Sequence, residues 1–163
     1  MKAFRSVLAL LLAMVMLPAE AAVEKPMVEK RLVSRQSVEH GDYLVRIAGC
    51  HDCHSPGWSQ GKGSAPQARW LTGDAMGWQG PWGTTYATNL RLYMQGLSEE
   101  QWLLRARKGS ARPPMPWYVF RDMSDYDLRS IYRYILFLGV AGQPAPAYLP
   151  PGRKATGPVA VFP

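Results

Sequence analysis

The only two cysteines of the chain, Cys50 and Cys53, lie in one five-residue segment, Cys-His-Asp-Cys-His, which ends at His54. Two cysteines in 163 residues exclude a scaffold built on several disulfides. The same count excludes a zinc or iron–sulfur site with four cysteine ligands. The thiol chemistry of this chain is therefore confined to about one turn of backbone.

The spacing Cys-x-x-Cys-His is the attachment sequence for c-type haem. The thiols of Cys50 and Cys53, one helical turn apart, can both add to the vinyl groups of one haem and form two thioethers. His54 then lies beneath the iron and is predicted to be its proximal ligand. We therefore predict one covalent haem c, attached through Cys50 and Cys53.

Three other uses of this segment fit the rest of the sequence less well. A redox-active Cys-x-x-Cys accompanies a βαβ pattern, which is not visible here. A zinc site needs two further ligands, and only His40 lies outside the segment. A disulfide between residues so close closes a very short loop and adds little stability.

We expect His51 to face solvent and His40 to have a surface or capping role.

The first 22 residues have the features of a secretory signal peptide. Two basic residues precede an uncharged apolar run at 7–17, and Ala-Glu-Ala at 19–21 provides small residues for cleavage. This run is shorter than the about twenty residues that cross a bilayer, and no later stretch approaches that length. We expect export to the periplasm and a mature chain without a transmembrane segment, which agrees with haem attachment outside the cytoplasm.

Helical patterns begin at two serines in the first part of the mature chain. One pattern begins at Ser37 and stops at Gly49. The next begins at Ser98, which forms a capping box with Gln101, and ends at Gly109.

A third helical pattern begins at Ser124, with Asp127 completing another capping box, and stops at Gly139 or Gly142. No segment has a convincing strand pattern. We therefore expect an all-α fold with about three main helices.

Residues 55–96 contain four tryptophans, three prolines and no sustained helical or strand period. A loop of this length without its own structure is uncommon in a compact domain. It becomes acceptable if it wraps a bulky group that is not protein. We place the domain at 37–142, after a polar lead-in at 23–36 and before an extended proline-rich tail at 143–163.

The second axial ligand of the iron must come from another segment, and Met115 is the best candidate. It lies in the sequence Pro-Pro-Met-Pro, whose prolines stiffen the loop and lower the cost of ordering a thioether on iron. Met94 is the alternative, although we expect Met94 to pack in the core. Ligation by both His54 and Met115 leaves no open position on the iron, which favours electron transfer over oxygen binding.

The order of these features resembles a class I c-type cytochrome: helix, Cys-x-x-Cys-His, long loop, middle helix, methionine loop and final helix. Gly41 and Tyr134 lie where that fold crosses its first and last helices. The sequences at 83–89 and 114–117 are similar to those in cytochrome c subunits of bacterial dehydrogenases. The resemblance covers roughly residues 37–140, and the chain departs from it locally after Asn89, where Arg-Leu-Tyr replaces the usual Thr-Pro-Asp. It implies the class I cytochrome c fold, with long irregular loops around one haem.

The expected function is one-electron transfer between a periplasmic or membrane dehydrogenase and a respiratory acceptor. The chain would then be an electron carrier and not an enzyme, or a non-catalytic subunit of an oxidoreductase. Two alternatives stay open: a haem-based sensor or enzyme with a displaceable Met115, and a structural relay subunit of a larger oxidoreductase complex.

A formal net charge of +7 suggests a negatively charged partner. Six basic residues flank segments that we expect near the haem: Lys62, Arg69, Arg105, Arg107, Lys108 and Arg112. A basic rim would steer an acidic redox protein. Nucleic acid is not an expected partner, because the chain has no recognition motif and an export signal.

Overall fold

The computed structural model describes residues 34–163. The predicted signal peptide and most of the lead-in therefore lie outside the described residues. The α-helices are α1 (34–47), α2 (Cys50–His54), α3 (Leu90–Gln95), α4 (Glu99–Lys108) and α5 (Asp125–Leu138). Short 3-10 helices cover Gln67–Arg69 and Trp117–Arg121, and the strands are β1 (Gly77–Gly80), β2 (Gly83–Tyr86) and β3 (Val159–Val161).

The two predicted capping boxes are confirmed. The Ser98 hydroxyl accepts the Gln101 amide proton at the start of α4, and the Gln101 side chain accepts the Ser98 amide proton. Ser124 and Asp127 make the same reciprocal pair at the start of α5. Such pairs satisfy two amide groups that have no partner inside the helix.

The first helix differs from its predicted bounds at both ends. Residues 34–36, assigned to the lead-in, are already helical, and the helix ends at residue 47. Gly49 then adopts a left-handed backbone with φ 69°, which glycine tolerates without steric cost. The Cys-x-x-Cys-His segment consequently forms a separate helix, α2.

Helices α1 and α5 cross in close contact at Gly41, as the glycine in this helix predicts. A Cβ atom placed on Gly41 would lie 2.1 Å from the backbone oxygen of Ser130 and 2.6 Å from the Cβ of Tyr134. Beside this point the buried hydroxyls of Ser37 and Ser130 are 3.0 Å apart and hydrogen bonded. The crossing fixes the path of the chain that leads into α2.

The expectation of an all-α fold is wrong in one respect, because the described chain also contains a three-stranded sheet. The strand order is β2-β1-β3, with β2 antiparallel and β3 parallel to β1. Its strands have three or four residues, and two of them begin with glycine. Such short segments carry too little alternation to be recognised in a sequence.

The tail at 143–163 is extended as expected, but it is part of the folded domain. Leu149 exchanges two backbone hydrogen bonds with Thr84 of β2, at 2.8 and 3.0 Å. Further on, the tail supplies β3, which pairs Val159 with Gly77 of β1. The sheet therefore joins the tail to the hairpin formed by β1 and β2.

The core lies where the helices meet, and Met94 is buried within it as expected. Among residues 34–163, no helix combines the length and apolar character that crossing a membrane requires. The buried core side chains are Val45, Leu71, Met94, Trp102, Leu103, Ala106, Leu128, Ile131, Tyr132, Tyr134 and Ile135.

Candidate functional site

Helix α2 places three predicted site residues on one turn of backbone. Cys50 and Cys53 are half-buried free thiols, and His54 ends the helix and is buried. The Gly49 turn orients this short helix after α1, and the Asp52 amide donates to the Gly49 carbonyl. The structure thus brings both thiols and the imidazole to one end of α1.

The ring of His54 is held in one orientation by a backbone carbonyl. Its Nδ1 is 2.7 Å from the carbonyl oxygen of Thr88, and a carbonyl can only accept, so Nδ1 carries the proton. Nε2 then bears the free lone pair, which is the form that binds a metal. Burial lowers the pKa of His54, and the bond to Thr88 only partly opposes this, so the imidazole is neutral.

Both thiols are protonated in this environment. Burial raises the pKa of Cys50 to about 11, and a backbone hydrogen bond lowers it only partly. Burial also raises the pKa of Cys53, and the nearby carboxylate of Asp52 adds to the increase. Redox-active cysteine pairs depend on a lowered thiol pKa. The environment of these thiols therefore disfavours a thioredoxin-like activity.

Met115 lies in the irregular segment between α4 and the 3-10 helix Trp117–Arg121. Its amide donates to the Arg112 carbonyl at 3.3 Å, and its carbonyl accepts from the Trp117 amide at 2.9 Å. The half-buried side chain lines the same space as His54. The methionine loop is thus tied to the backbone on both sides of Met115.

Two adjoining cavities of about 270 and 390 Å³ lie against the predicted site residues. Each has a volume near or within the range of about 300 to 1,000 Å³ found for ligand pockets. Six residues line both cavities: Cys50, His54, Thr88, Ala111, Met115 and Phe120. Cys53 lines the larger one.

The walls of the two cavities differ in chemistry. The smaller cavity is walled mainly by core side chains such as Val45, Trp102 and Ile131. The larger cavity is also lined by Trp78 and Thr85, whose indole N–H and hydroxyl are buried without a partner among the described residues. Buried donors left unpaired are costly, so they indicate a ligand that accepts hydrogen bonds.

These walls fit a c-type haem. The macrocycle is a large apolar plate, and its two carboxylates lie on one edge. Apolar side chains would cover the plate, and the two thiols would attach to it. A neutral imidazole with its lone pair free and a thioether would bind the iron. The unpaired donors of Trp78 and Thr85 match the carboxylate edge. Cys50, Cys53, His54 and Met115 would hold the group.

No protein-family model, curated protein or solved structure matches this chain. Within residues 34–163, no group of three or more His, Cys, Asp or Glu side chains is arranged to hold a metal ion. The functional assignment of the site therefore depends on its own residues and their geometry.

The expectation that His51 faces solvent is wrong. Its ring is 1 % exposed, stacks on Trp58 with centroids 4.0 Å apart, and meets the edge of Trp70. Nδ1 is hydrogen bonded to the Ser55 hydroxyl at 2.7 Å, and the same hydroxyl accepts the Leu71 amide proton. His51 therefore anchors α2 to the segment that follows it.

His40 lies on α1, away from the residues that line the two cavities. Its Nε2–H donates to the carboxylate of Asp127 at 2.7 Å, so the ring braces the start of α5. This agrees with the predicted surface or capping role.

The six basic residues of the predicted rim have different environments. Arg105 lines the smaller cavity and Arg112 the larger one, and both are exposed. Arg107 is half-buried, donates to the carbonyls of Phe120 and Arg121, and pairs with the exposed Asp125. Lys62, Arg69 and Lys108 are exposed and line neither cavity.

Several residues at the site carry no signal in the sequence. The Thr88 carbonyl is a backbone group, which any residue could supply. Trp78 and Thr85 reach the larger cavity only because the β1–β2 hairpin forms. Tyr148 lines the same cavity from the tail, which the sequence pattern places outside the domain.

Proposed function

We propose that this chain is an exported class I c-type cytochrome with one covalent haem, and that it carries single electrons. One observation carries the proposal: Cys50, His54 and Met115 line the same two apolar-walled cavities, and Cys53 lines the larger one. When bound, haem c would supply a one-electron iron couple whose potential depends on its axial ligands and burial.

Different residues of the chain would attach, ligate and shield such a group. Cys50 and Cys53 would form the thioethers, and His54 would present Nε2 because Thr88 fixes the opposite side of its ring. Met115 would supply a soft sulfur from a loop held at both ends. Phe120, which lines both cavities, would help to exclude water from the site.

Haem attachment is the first test. We expect the chain, expressed with a c-type maturation system in the periplasm, to keep its haem through denaturation and extraction with acidified organic solvent. The double variant Cys50→Ala/Cys53→Ala is expected to lose it. A colourless exported protein, or pigment extracted from the wild-type chain, would contradict the proposal.

The axial ligand is tested with Met115→Ala. The ferric wild-type protein is expected to show the long-wavelength methionine–iron band, and the variant to lose it while keeping covalent haem. The matched variant Met76→Ala, which changes a methionine that lines neither cavity, is expected to keep the band. Retention of the band in Met115→Ala would eliminate this ligand. Rapid carbon monoxide binding by the untreated ferrous protein would favour a sensor or enzyme.

For the partner, we propose a redox protein with an acidic surface, because Arg105 and Arg112 are exposed at the two cavities. Small charged redox reagents test the positive charge at the two cavities directly. We expect the anionic hexacyanoferrate(III) to oxidise the ferrous protein at a rate that falls with ionic strength, and a cationic cobalt(III) complex to show the opposite trend. Equal salt dependence for both reagents would argue against a basic docking face.

A further inference from the structure

The proline-rich tail is fastened across the hairpin at successive points. At its start, the Asn89 side chain donates to the carbonyls of Ala141 and Gln143, at 2.8 and 3.1 Å. In the middle, Leu149 exchanges its two hydrogen bonds with Thr84. At its end, β3 pairs with β1, and the Phe162 amide donates to the Gln79 carbonyl at 2.7 Å. The tail at 143–163 is therefore fixed along the hairpin, and we call it the strap.

The β1–β2 hairpin allows the strap to approach its backbone closely at Gly83. Gly83 has φ 98°, and a Cβ atom placed on it would lie 2.2 Å from the Leu149 carbonyl oxygen. The hydroxyl of Tyr148 donates to the Trp82 carbonyl at 2.8 Å. Tyr148 is thereby held on the hairpin by its own hydroxyl and by the backbone of its neighbour Leu149.

A cation–π contact links the strap to the methionine loop. The guanidinium of Arg112 lies 3.9 Å from the ring centroid of Tyr148, well within the range of a cation–π interaction. The Arg112 carbonyl in turn accepts the Met115 amide proton. Pro146 and Tyr148 of the strap line the larger cavity together with Met115.

We propose that Tyr148 is a positioning residue for Met115, acting through Arg112, so that the strap holds the methionine loop against the site. This inference rests on the proposed function, because it concerns the ligand that Met115 supplies there. Without the contact between Arg112 and Tyr148, we expect the methionine loop to move away from the site more readily. A small external ligand would then compete better with Met115.

The test is a titration of the ferric protein with imidazole, followed by the loss of the methionine–iron band. In Tyr148→Leu the apparent imidazole affinity is expected to rise about three- to tenfold, the range of a partly exposed cation–π contact. Tyr148→Phe keeps the ring and the Leu149 backbone bonds but loses the hydroxyl bond to Trp82, so a smaller rise than in Tyr148→Leu is expected. Tyr43→Leu, an exposed tyrosine of α1 that lines neither cavity, is the matched control.

Arg112→Gln removes the same contact from the other side and changes an exposed side chain, so it carries the test if Tyr148→Leu fails to fold. The two substitutions together are expected to have no larger effect than either alone, because they remove one interaction. Unchanged imidazole affinity in both single variants, or additive effects in the double variant, would overturn the proposal.

A second readout separates this proposal from the proposed function. Hydrogen exchange at the Met115 and Trp117 amides reports the loop itself, whatever Met115 ligates. We expect faster exchange at these amides in Tyr148→Leu than in the wild type or in Tyr43→Leu. A wild-type protein without the methionine–iron band would refute Met115 as the ligand, whereas unchanged exchange would refute the strap.

Discussion

At the scale of single residues, His51 shows how a position between two site cysteines can serve the fold. Its ring is enclosed by Trp58 and Trp70, and Arg46 lies over both indoles at 5.6 and 4.9 Å. Burial lowers the pKa of His51 to about 4, and the charge of Arg46 adds to the decrease. A neutral, stacked imidazole here joins α2 to the segment at 55–71.

We expect His51→Ala to lower the free energy of unfolding by about 2 to 3 kcal/mol, because it removes a stacked ring and leaves a cavity beside Ser55. His51→Phe keeps the stack and loses only the hydrogen bond, so a smaller loss of about 1 kcal/mol is expected. Urea unfolding checks both values. An unchanged midpoint in His51→Ala would show that the ring does not stabilise the fold.

Arg91 lies on α3, in the Arg-Leu-Tyr sequence that follows Leu90. It is 7 % exposed, and its guanidinium donates to the carbonyls of Leu138 and Gly139 at the end of α5. These carbonyls have no partner within the helix. A positive charge at this end also interacts favourably with the helix dipole. Arg91 thus anchors α3 to the end of α5.

Arg91→Met is expected to lower the free energy of unfolding by about 2 to 4 kcal/mol, because it leaves two half-buried carbonyls at the end of α5 unpaired. The control Arg35→Met removes an exposed pair with Glu39 and is expected to change it by less than about 0.5 kcal/mol. Chemical denaturation of the two variants measures the difference. Similar effects in both would refute a capping role for Arg91.

At the scale of elements, the crossing of α1 and α5 requires a residue without a side chain at Gly41. Gly41→Ala would raise helix propensity by about 1 kcal/mol, but its methyl would meet the Ser130 backbone oxygen. We expect a net loss of about 2 to 4 kcal/mol, since the helices must separate. Thermal unfolding measures it.

Gly96→Ala is the matched control for the crossing. It lies at the end of α3, and a Cβ there would be 3.6 Å from the nearest atom, the Tyr93 oxygen. We expect a change of less than about 1 kcal/mol. A stability for Gly41→Ala equal to that of this control would mean that the two helices can separate at little cost.

The elements also show how much of the fold can be predicted from sequence. Helices α4 and α5 were predictable because capping side chains and terminal glycines act locally. The spacing of Cys50, Cys53 and His54 predicts a haem site, and the structure places these residues against the two cavities. The sheet was not, because β3 consists of three residues that pair with a distant hairpin. His51 was mispredicted, because its burial depends on Trp58 and Trp70, which lie in a segment without periodicity.

At the scale of the whole molecule, ion pairs and hydrogen bonds join the three long helices. Glu99 of α4 accepts hydrogen bonds from Arg129 and Arg133 of α5, and Arg133 also donates to Ser37 of α1. Burial alone would raise the pKa of Glu99, but the bonds from Arg133 and Arg129 outweigh it and hold the pKa below its ordinary value of 4.5.

Asp127 completes this set of contacts. The hydrogen bond from His40 is the main cause of its lowered pKa, which burial opposes and Ser124 reinforces. A carboxyl whose pKa is lower in the folded state than in the unfolded state stabilises the fold fully only above the unfolded value. That stabilisation is lost as the pH falls towards the folded value.

We therefore expect the free energy of unfolding to fall below about pH 4.5 as Glu99 and Asp127 become protonated. Glu99→Gln is expected to be less stable at neutral pH and to show a shallower loss below that pH. The control Glu39→Gln is expected to stay within about 0.5 kcal/mol of the wild type at neutral pH. Urea unfolding across pH 2 to 7 gives the profile, and equal slopes in Glu99→Gln and the wild type would contradict this account.

The pairing of β1 with β3 has a consequence for the order in which the molecule is built. About eighty residues separate these strands along the chain, so closing that long loop has a high entropic cost, and their contact is expected late in folding. Tyr148 and Leu149 bind the hairpin through their own hydrogen bonds, so the wall that Tyr148 gives the larger cavity does not depend on this pairing. Strand β3 is therefore expected to dock as a closing step, after the helices have assembled.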